Sequence, residues 1–138
     1  MPQAAAQARP TGTPGYSQTL PRKAESAAIA RRLVEAALGC WGLGALADDG
    51  ASIVSELVAN AVRHARRESI RVVVERVTER TVRVAVTDFS RKPPVECRAG
   101  DGDEGGRGLL LVAALASDWG TDTRRWGKVV WADLEGRG

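Results

Sequence analysis

The 138-residue chain is poor in several residues that carry chemistry or fill cores: it has one histidine, one phenylalanine, one tyrosine, one methionine and two cysteines. Cys40 and Cys97 stand alone, with no His or Cys nearby in metal-ligand spacing. That argues against a zinc site or a disulfide framework and leaves reduced thiols as the expectation. With so few aromatic rings the core must be aliphatic, although three of the four tryptophans, Trp119, Trp126 and Trp131, crowd near the C-terminus. No apolar run approaches the length of a membrane span, and the opening "MPQAAAQARPTGTPGY" lacks the hydrophobic stretch of a secretory signal. The expectation is a cytoplasmic protein with no membrane contact. An excess of one charge sign is also missing. Twenty Lys+Arg against 17 Asp+Glu leave +3, too mild for direct nucleic-acid binding without clustering, and no stacking aromatics interleave a basic stripe. Arg63, Arg66 and Arg67 read as a solvated face that favours the end of a helix dipole.

Two phosphate or cation motifs are absent as well. G-x-x-x-x-G-K-[ST] does not occur, which excludes a P-loop. The acidic "DGDEGG" hints at a calcium loop, but the third ligand position falls on Gly105 and the closing Glu on Val112. Asp101, Asp103 and Glu104 are then solvated loop charges.

What is there organises into one domain. Residues 1–15 bury almost nothing and read as a flexible tail, leaving 16–138 as the folded unit. "YSQTL" reads as a first strand, and "RKAESAAIARRLVEAAL" as a helix ended by Gly39, Gly42 and Gly44. A second helix runs from Asp48 or Asp49, which help its start by capping and dipole, to Ala65. Its apolar face is Ile53, Val54, Leu57, Val58 and Ala61. "IRVVVERV" and "TVRVAVTD" predict an antiparallel hairpin ending at Asp88. The stretch "FSRKPPVECRAGDGDEGGRG" breaks every periodicity and must be loop. "LLLVAALAS" resumes as a helix, and "DWGTDT" with "WGKVVWADL" closes the chain as two strands around a "RR" turn. No internal repeat is evident, and alternating βαβ units are missing. The predicted class is α+β, a two-layer sandwich with helices on one face of the sheet.

The second helix poses the chemical question. Within "SELVANAVRHA", Glu56, Asn60 and His64 recur every four residues, which places them on one stripe about 6 Å apart in rise. That stripe borders the apolar face, where it can look into a cleft while its neighbours hold the core. Asn is a poor helix-interior residue because its side chain competes for backbone hydrogen bonds, so position 60 calls for a reason. Taken alone, Glu56 also reads as a helix carboxylate pairing with a nearby Arg, and Asp88 as a strand-ending turn residue. Gly105, Gly106 and Gly108 precede a helix whose free amides suit a phosphate, but as an isolated G-x-G they equally serve only a turn. His64 reads as a structural residue or as a support to the site, since no phospho-acceptor histidine domain accompanies it.

Four segments in order, "ELVANAVRHA", "VTDFSRKPP", "GGRGLLLVAALASDWG" and "GKVVWADL", resemble the ATP-binding boxes of the GHKL superfamily of gyrase, heat-shock chaperones and histidine kinases. Within it they look most like the small bacterial anti-sigma-factor serine/threonine kinases. The resemblance implies a GHKL (Bergerat) sandwich with a mixed, mostly antiparallel sheet, and ATP with Mg²⁺ as cofactors. It implies that Asn60 coordinates Mg²⁺, that Glu56 is the general base for a substrate hydroxyl, and that Asp88 accepts the adenine amino group. A carboxamide oxygen suits Mg²⁺ as a hard neutral ligand, and a carboxylate offers adenine acceptors only. Residues 91–107 would form the ATP lid, with Gly105, Gly106, Gly108 and Leu109 at the phosphates. Arg107, with Arg91 or Lys92, would reach the terminal phosphate.

The implied activity is phosphorylation of an anti-sigma-factor antagonist, with a sigma factor held when the antagonist is unavailable, so that transcription is regulated by partner switching. The alternative is a nucleotide-gated binding module without phosphotransfer. The resembling kinases often pair, so a homodimer is a further expectation. Two positions depart from the family pattern: Ser90 replaces a glycine, and Val129 a threonine that helps bind adenine through a water. The second departure would remove one hydrogen bond, about 0.5–1.5 kcal/mol.

Overall fold

A computed structural model of the chain describes residues 14–65, 67–89 and 109–136. Along the chain run β1 (Gly15–Pro21), α1 (Ser26–Cys40), a 3-10 turn (Gly44–Leu46), α2 (Ala47–His64), β2 (Ser69–Arg76), β3 (Thr81–Asp88), a short helix α3 (109–115), β4 (Asp118–Arg124) and β5 (Gly127–Glu135). The strands form one sheet in the order β1-β2-β3-β5-β4. Helices α1 and α2 pack on each other and α2 lies across β3. This is the α+β sandwich predicted from the sequence.

The sheet corrects one expectation. All four strand pairings are antiparallel, whereas a mixed sheet was expected. The reason is topological. β3 and β4 run in the same direction, and the hairpin turn after Arg124 folds β5 back between them, so no two parallel strands are neighbours.

Alternation decides which side chains meet the helices. Ile70, Val72 and Val74 on β2, Val82, Val84 and Val86 on β3, and Val130, Ala132 and Leu134 on β5 are all buried in the core. From α2, Ile53, Val54, Leu57 and Val58 are fully buried against them. Each such aliphatic side chain contributes about 1.5–3 kcal/mol of burial, so a core with almost no phenylalanine still holds. α3 adds Val112 to the same core, while Leu110 stays exposed.

The helix ends differ from the sequence expectation. Gly39 lies inside α1, which runs on to Cys40. The stop is made by Gly42 at φ +73, with Leu43 N–H donating to the Leu38 carbonyl at 2.8 Å. This six-to-one bond around a left-handed glycine satisfies an end carbonyl of the helix. At the start of α2, Asp48 and Asp49 lie in the first turn and no side chain caps the helix, so they act through the dipole alone. The far end of α2 is fastened by Arg22, whose guanidinium donates to the carbonyls of Val62 (3.1 Å) and Arg67 (2.7 Å). A cation on an end carbonyl complements the negative helix terminus.

The contact between α1 and α2 is tight at Gly50, where a Cβ would lie 2.9 Å from Val34 Cγ1 and 3.1 Å from Leu38 Cδ1. A side chain there forces overpacking, although any L residue except proline forms helix better than glycine does. Gly50→Val is expected to destabilise the protein by about 2 kcal/mol or more, read as a lower urea midpoint. An unchanged or higher midpoint would remove the tight helix crossing from the account.

Candidate functional site

The chain connectivity brings α2 and the end of β3 to one place. α2 stops at His64, β2 begins at Ser69, and Ile70 is the cross-strand partner of Asp88. The C-terminal half of α2, the end of β3 and, through the Asp88↔Lys128 pairing, the start of β5 therefore share one end of the sheet.

On α2, Asn60 is buried, with 6% of its surface exposed. No hydrogen bond from a described residue engages its carboxamide. A carboxamide carries both acceptor and donor groups, so at this position it can meet a ligand as well as the protein. One turn earlier, Glu56 is half-buried and makes no ion pair or hydrogen bond with any described residue. Arg31 of α1 donates to the hydroxyl of the neighbouring Ser55 at 3.0 Å. The reading of Glu56 as a helix carboxylate paired with arginine thus finds no support among the described residues. His64, one turn later, is half-buried and has an interaction of its own.

Asp88 is 4% exposed and shares the helix-facing side of β3 with Val82, Val84 and Val86 by alternation. Two residues that the sequence reading passed over shape its surroundings. Lys128 is its cross-strand neighbour. Gly127 has φ +153, and a Cβ on it would lie 1.8 Å from the Asp88 carbonyl oxygen. Only a glycine lets β5 begin this close to the carboxylate-bearing strand end. The available signal was "WGK", a glycine set directly before a β-branched run.

Leu109 opens α3 and packs partly buried against the core. Arg91, Gly105, Gly106, Arg107 and Gly108 lie outside the described residues, as do Ser90 and Lys92. Val129 is described, and it faces away from the site: it pairs with Thr87 and lines the opposite side of the sheet. Alternation by two makes Lys128, not Val129, the β5 residue on the side of Asp88. A threonine at 129 would therefore point away from a nucleotide held there, and the expected loss of a hydrogen bond is withdrawn.

The donor set fits Mg·ATP. Asn60 offers a carboxamide oxygen, the kind of ligand Mg²⁺ accepts alongside water and phosphate oxygens. Among the described residues no cluster of three or more His, Cys, Asp or Glu could hold a metal alone, so the nucleotide's own phosphates would complete the shell. No helix among the described residues is long and apolar enough to cross a membrane.

The fold is thus an open antiparallel sheet covered on one side by helices, with a buried asparagine and a buried aspartate toward one end of it. Residues 20–134 match the family described as Histidine kinase-like ATPase domain, and the chain belongs to that family. Among solved structures it is similar to the histidine kinase domain from the Erythrobacter litoralis EL346 blue-light activated histidine kinase, at 25% identity and a TM-score of 0.50, covering 96% of this chain and 67% of that one. No curated protein matches the sequence.

Gly127→Ala tests the geometry around Asp88. The added methyl must push β5 or the Asp88 carbonyl aside, with an expected loss of about 2–4 kcal/mol in urea unfolding. Wild-type stability together with wild-type ATP affinity would show that the close approach is not needed.

Proposed function

We propose that this ATP-binding domain is a serine/threonine protein kinase whose substrate is an anti-sigma-factor antagonist, and that it holds a sigma factor when that antagonist is unavailable. The observation that carries the reading is the state of Glu56, a half-buried carboxylate uncommitted to any described residue and one helical turn from a buried asparagine. A module that only bound nucleotide would have no use for a carboxylate uncommitted among the described residues one turn from the proposed metal ligand.

The chemistry follows from the positions. Bound Mg·ATP supplies the transferable phosphoryl group. Asn60 would be the residue that holds the Mg²⁺ carried by the ATP phosphates, and Glu56 would orient the acceptor hydroxyl and take its proton as the phosphoryl group passes to that oxygen and ADP leaves. Such transfer depends mainly on positioning and charge stabilisation, so a single carboxylate in reach suffices as base. An alcohol must lose its proton in the reaction, whereas a neutral imidazole already carries a free lone pair. The uncommitted carboxylate therefore favours Ser or Thr as the acceptor. On this reading a nucleotide-loaded domain offers Glu56 to the antagonist, and the antagonist departs once it is modified.

The expected outcome for Glu56→Gln is Mg·ATP binding within about twofold of wild type by calorimetry and transfer reduced by roughly 10² or more, measured with labelled ATP and the purified antagonist. Equal transfer by wild type and this variant would remove the assignment of the base. Asn60→Ala is expected to weaken Mg·ATP binding by roughly tenfold and to leave the residual affinity insensitive to Mg²⁺. Unchanged Mg²⁺ dependence in that variant would remove the metal-ligand role.

A further inference from the structure

The side of the sheet away from the helices is covered by no other element among the described residues, and its two ends differ in character. Alternation sets Arg71, Thr87, Val129 and Asp122 in one row across it, from β2 to β4. Beyond that row, at the end nearest Asp88, Arg67, Ser69, Phe89 and Trp126 surround a recess of about 300 Å³. The recess shares Phe89 and Trp126 with a shallow dish that also holds Arg71, Asp122 and Arg124.

The groups at this end are only partly used by the fold. Trp126 sits in the turn between β4 and β5 with its ring 5.6 Å from that of Phe89, yet 41% of its surface stays in water. An indole at a hairpin tip so placed keeps much of its apolar area available to another molecule. The Arg71 guanidinium lies 5.7 Å from the Phe89 ring, and neither it nor that of Arg67 pairs with a carboxylate of any described residue. Arg124 approaches Asp122 at 3.6 Å with both side chains about half exposed, a pair of the kind that contributes little. The far end of the same face is the reverse. There Arg83 is bound bidentately to Asp133 at 2.7 and 3.0 Å, and Glu75 and Asp118 stand in the same row.

We propose that the Phe89–Trp126 end of this face is a docking site for a short acidic segment of another protein, laid across the strands with an aromatic side chain between two carboxylates. Charge complementarity selects the acid: two uncommitted guanidiniums and a loosely paired third meet one carboxylate, Asp122. The exposed indole selects the aromatic, since tryptophan and arginine together are the residues that most often anchor a protein contact. Spacing fixes the pattern. Arg71 on β2 and Arg124 on β4 are three strand steps apart, about 14 Å, which an extended chain crosses in about four residues, with Phe89 and Trp126 along the way. A nucleic acid fits less well, because a polyanion continuing over the face would pass from these arginines to Glu75, Asp118 and Asp133. The proposal does not depend on the kinase reading, because Glu56 and Asn60 lie on α2, on the other side of the sheet.

The test is fluorescence anisotropy of a labelled peptide, EDAFADE, titrated with the full chain, beside the peptides KKAFAKK and EDAAADE and an oligothymidylate of the same length. The acidic aromatic peptide is expected to bind with a Kd of roughly 10–100 µM, more weakly as salt rises, and at least roughly tenfold more tightly than either control peptide. Arg71→Glu and Trp126→Ala are each expected to weaken it roughly tenfold. Both residues are exposed, so the variants should keep the wild-type thermal midpoint within a few degrees, and Trp126→Phe should retain most of the binding. Binding of KKAFAKK or EDAAADE as tight as that of EDAFADE would overturn the proposal, as would an affinity that Arg71→Glu leaves unchanged. Tighter binding of the oligothymidylate would assign the site to nucleic acid instead. Sedimentation showing a dimer that Trp126→Ala abolishes would assign it to a second copy, and either result sinks the peptide reading.

Discussion

At the crossing of α1 and α2 there is no room for a methyl group, since a Cβ on residue 50 would stand 2.9 Å from Val34 and 3.5 Å from Leu134 of the sheet. This close approach sets the depth at which α2 rests on β3, and the helix then carries that depth along its length. From Gly50 to Asn60 is ten residues, about 15 Å of rigid rise, and Arg22 holds the far end by two carbonyls. Fixed at both ends and packed between them by four fully buried aliphatic residues, the helix has little freedom to rotate. Rotation decides whether Asn60 faces the sheet end and whether Glu56 keeps its partial exposure. The chemistry on this stripe therefore depends on packing that contains no polar group.

Much of this was legible in the sequence because it follows from period. The 3.6-residue pattern in α2 identified Ile53, Val54, Leu57 and Val58 as core and placed Glu56, Asn60 and His64 on its border. The two-residue pattern identified the β2–β3 hairpin. Where the reading failed, the deciding interaction was non-local. Gly39, Gly42 and Gly44 look alike in sequence, but of these only Gly42 takes the left-handed turn. Asp48 and Asp49 look like caps, but the chain enters α2 from a 3-10 turn that leaves them in the first turn without a side-chain cap. The insertion of β5 between β3 and β4 depends on where the chain returns after α3, which no local pattern records.

The same limit explains the candidate site. Asp88 was found as a strand end, but the glycine that admits β5 beside it is 39 residues away in the chain, and the contact is backbone to backbone. The glycine in "WGK" marks a special backbone position, but nothing near 127 says which strand it approaches. Val129 shows the converse error: a position judged by its distance from a motif glycine faces the opposite side of the sheet once the strand parity is known.

That parity also separates the two sides of the sheet. β3 and β5 each turn alternate residues to the helix side and to the outer side, so Asp88 and Lys128 point one way while Thr87 and Val129 point the other. Phe89 follows Asp88 directly, and its ring lies 5.6 Å from that of Trp126 and 5.7 Å from the Arg71 guanidinium. The strand end that bears the buried carboxylate is therefore held from the outer side of the sheet by aromatic and cation–π contacts, while Gly127 sets how closely β5 approaches it, so the position of Asp88 depends on both faces.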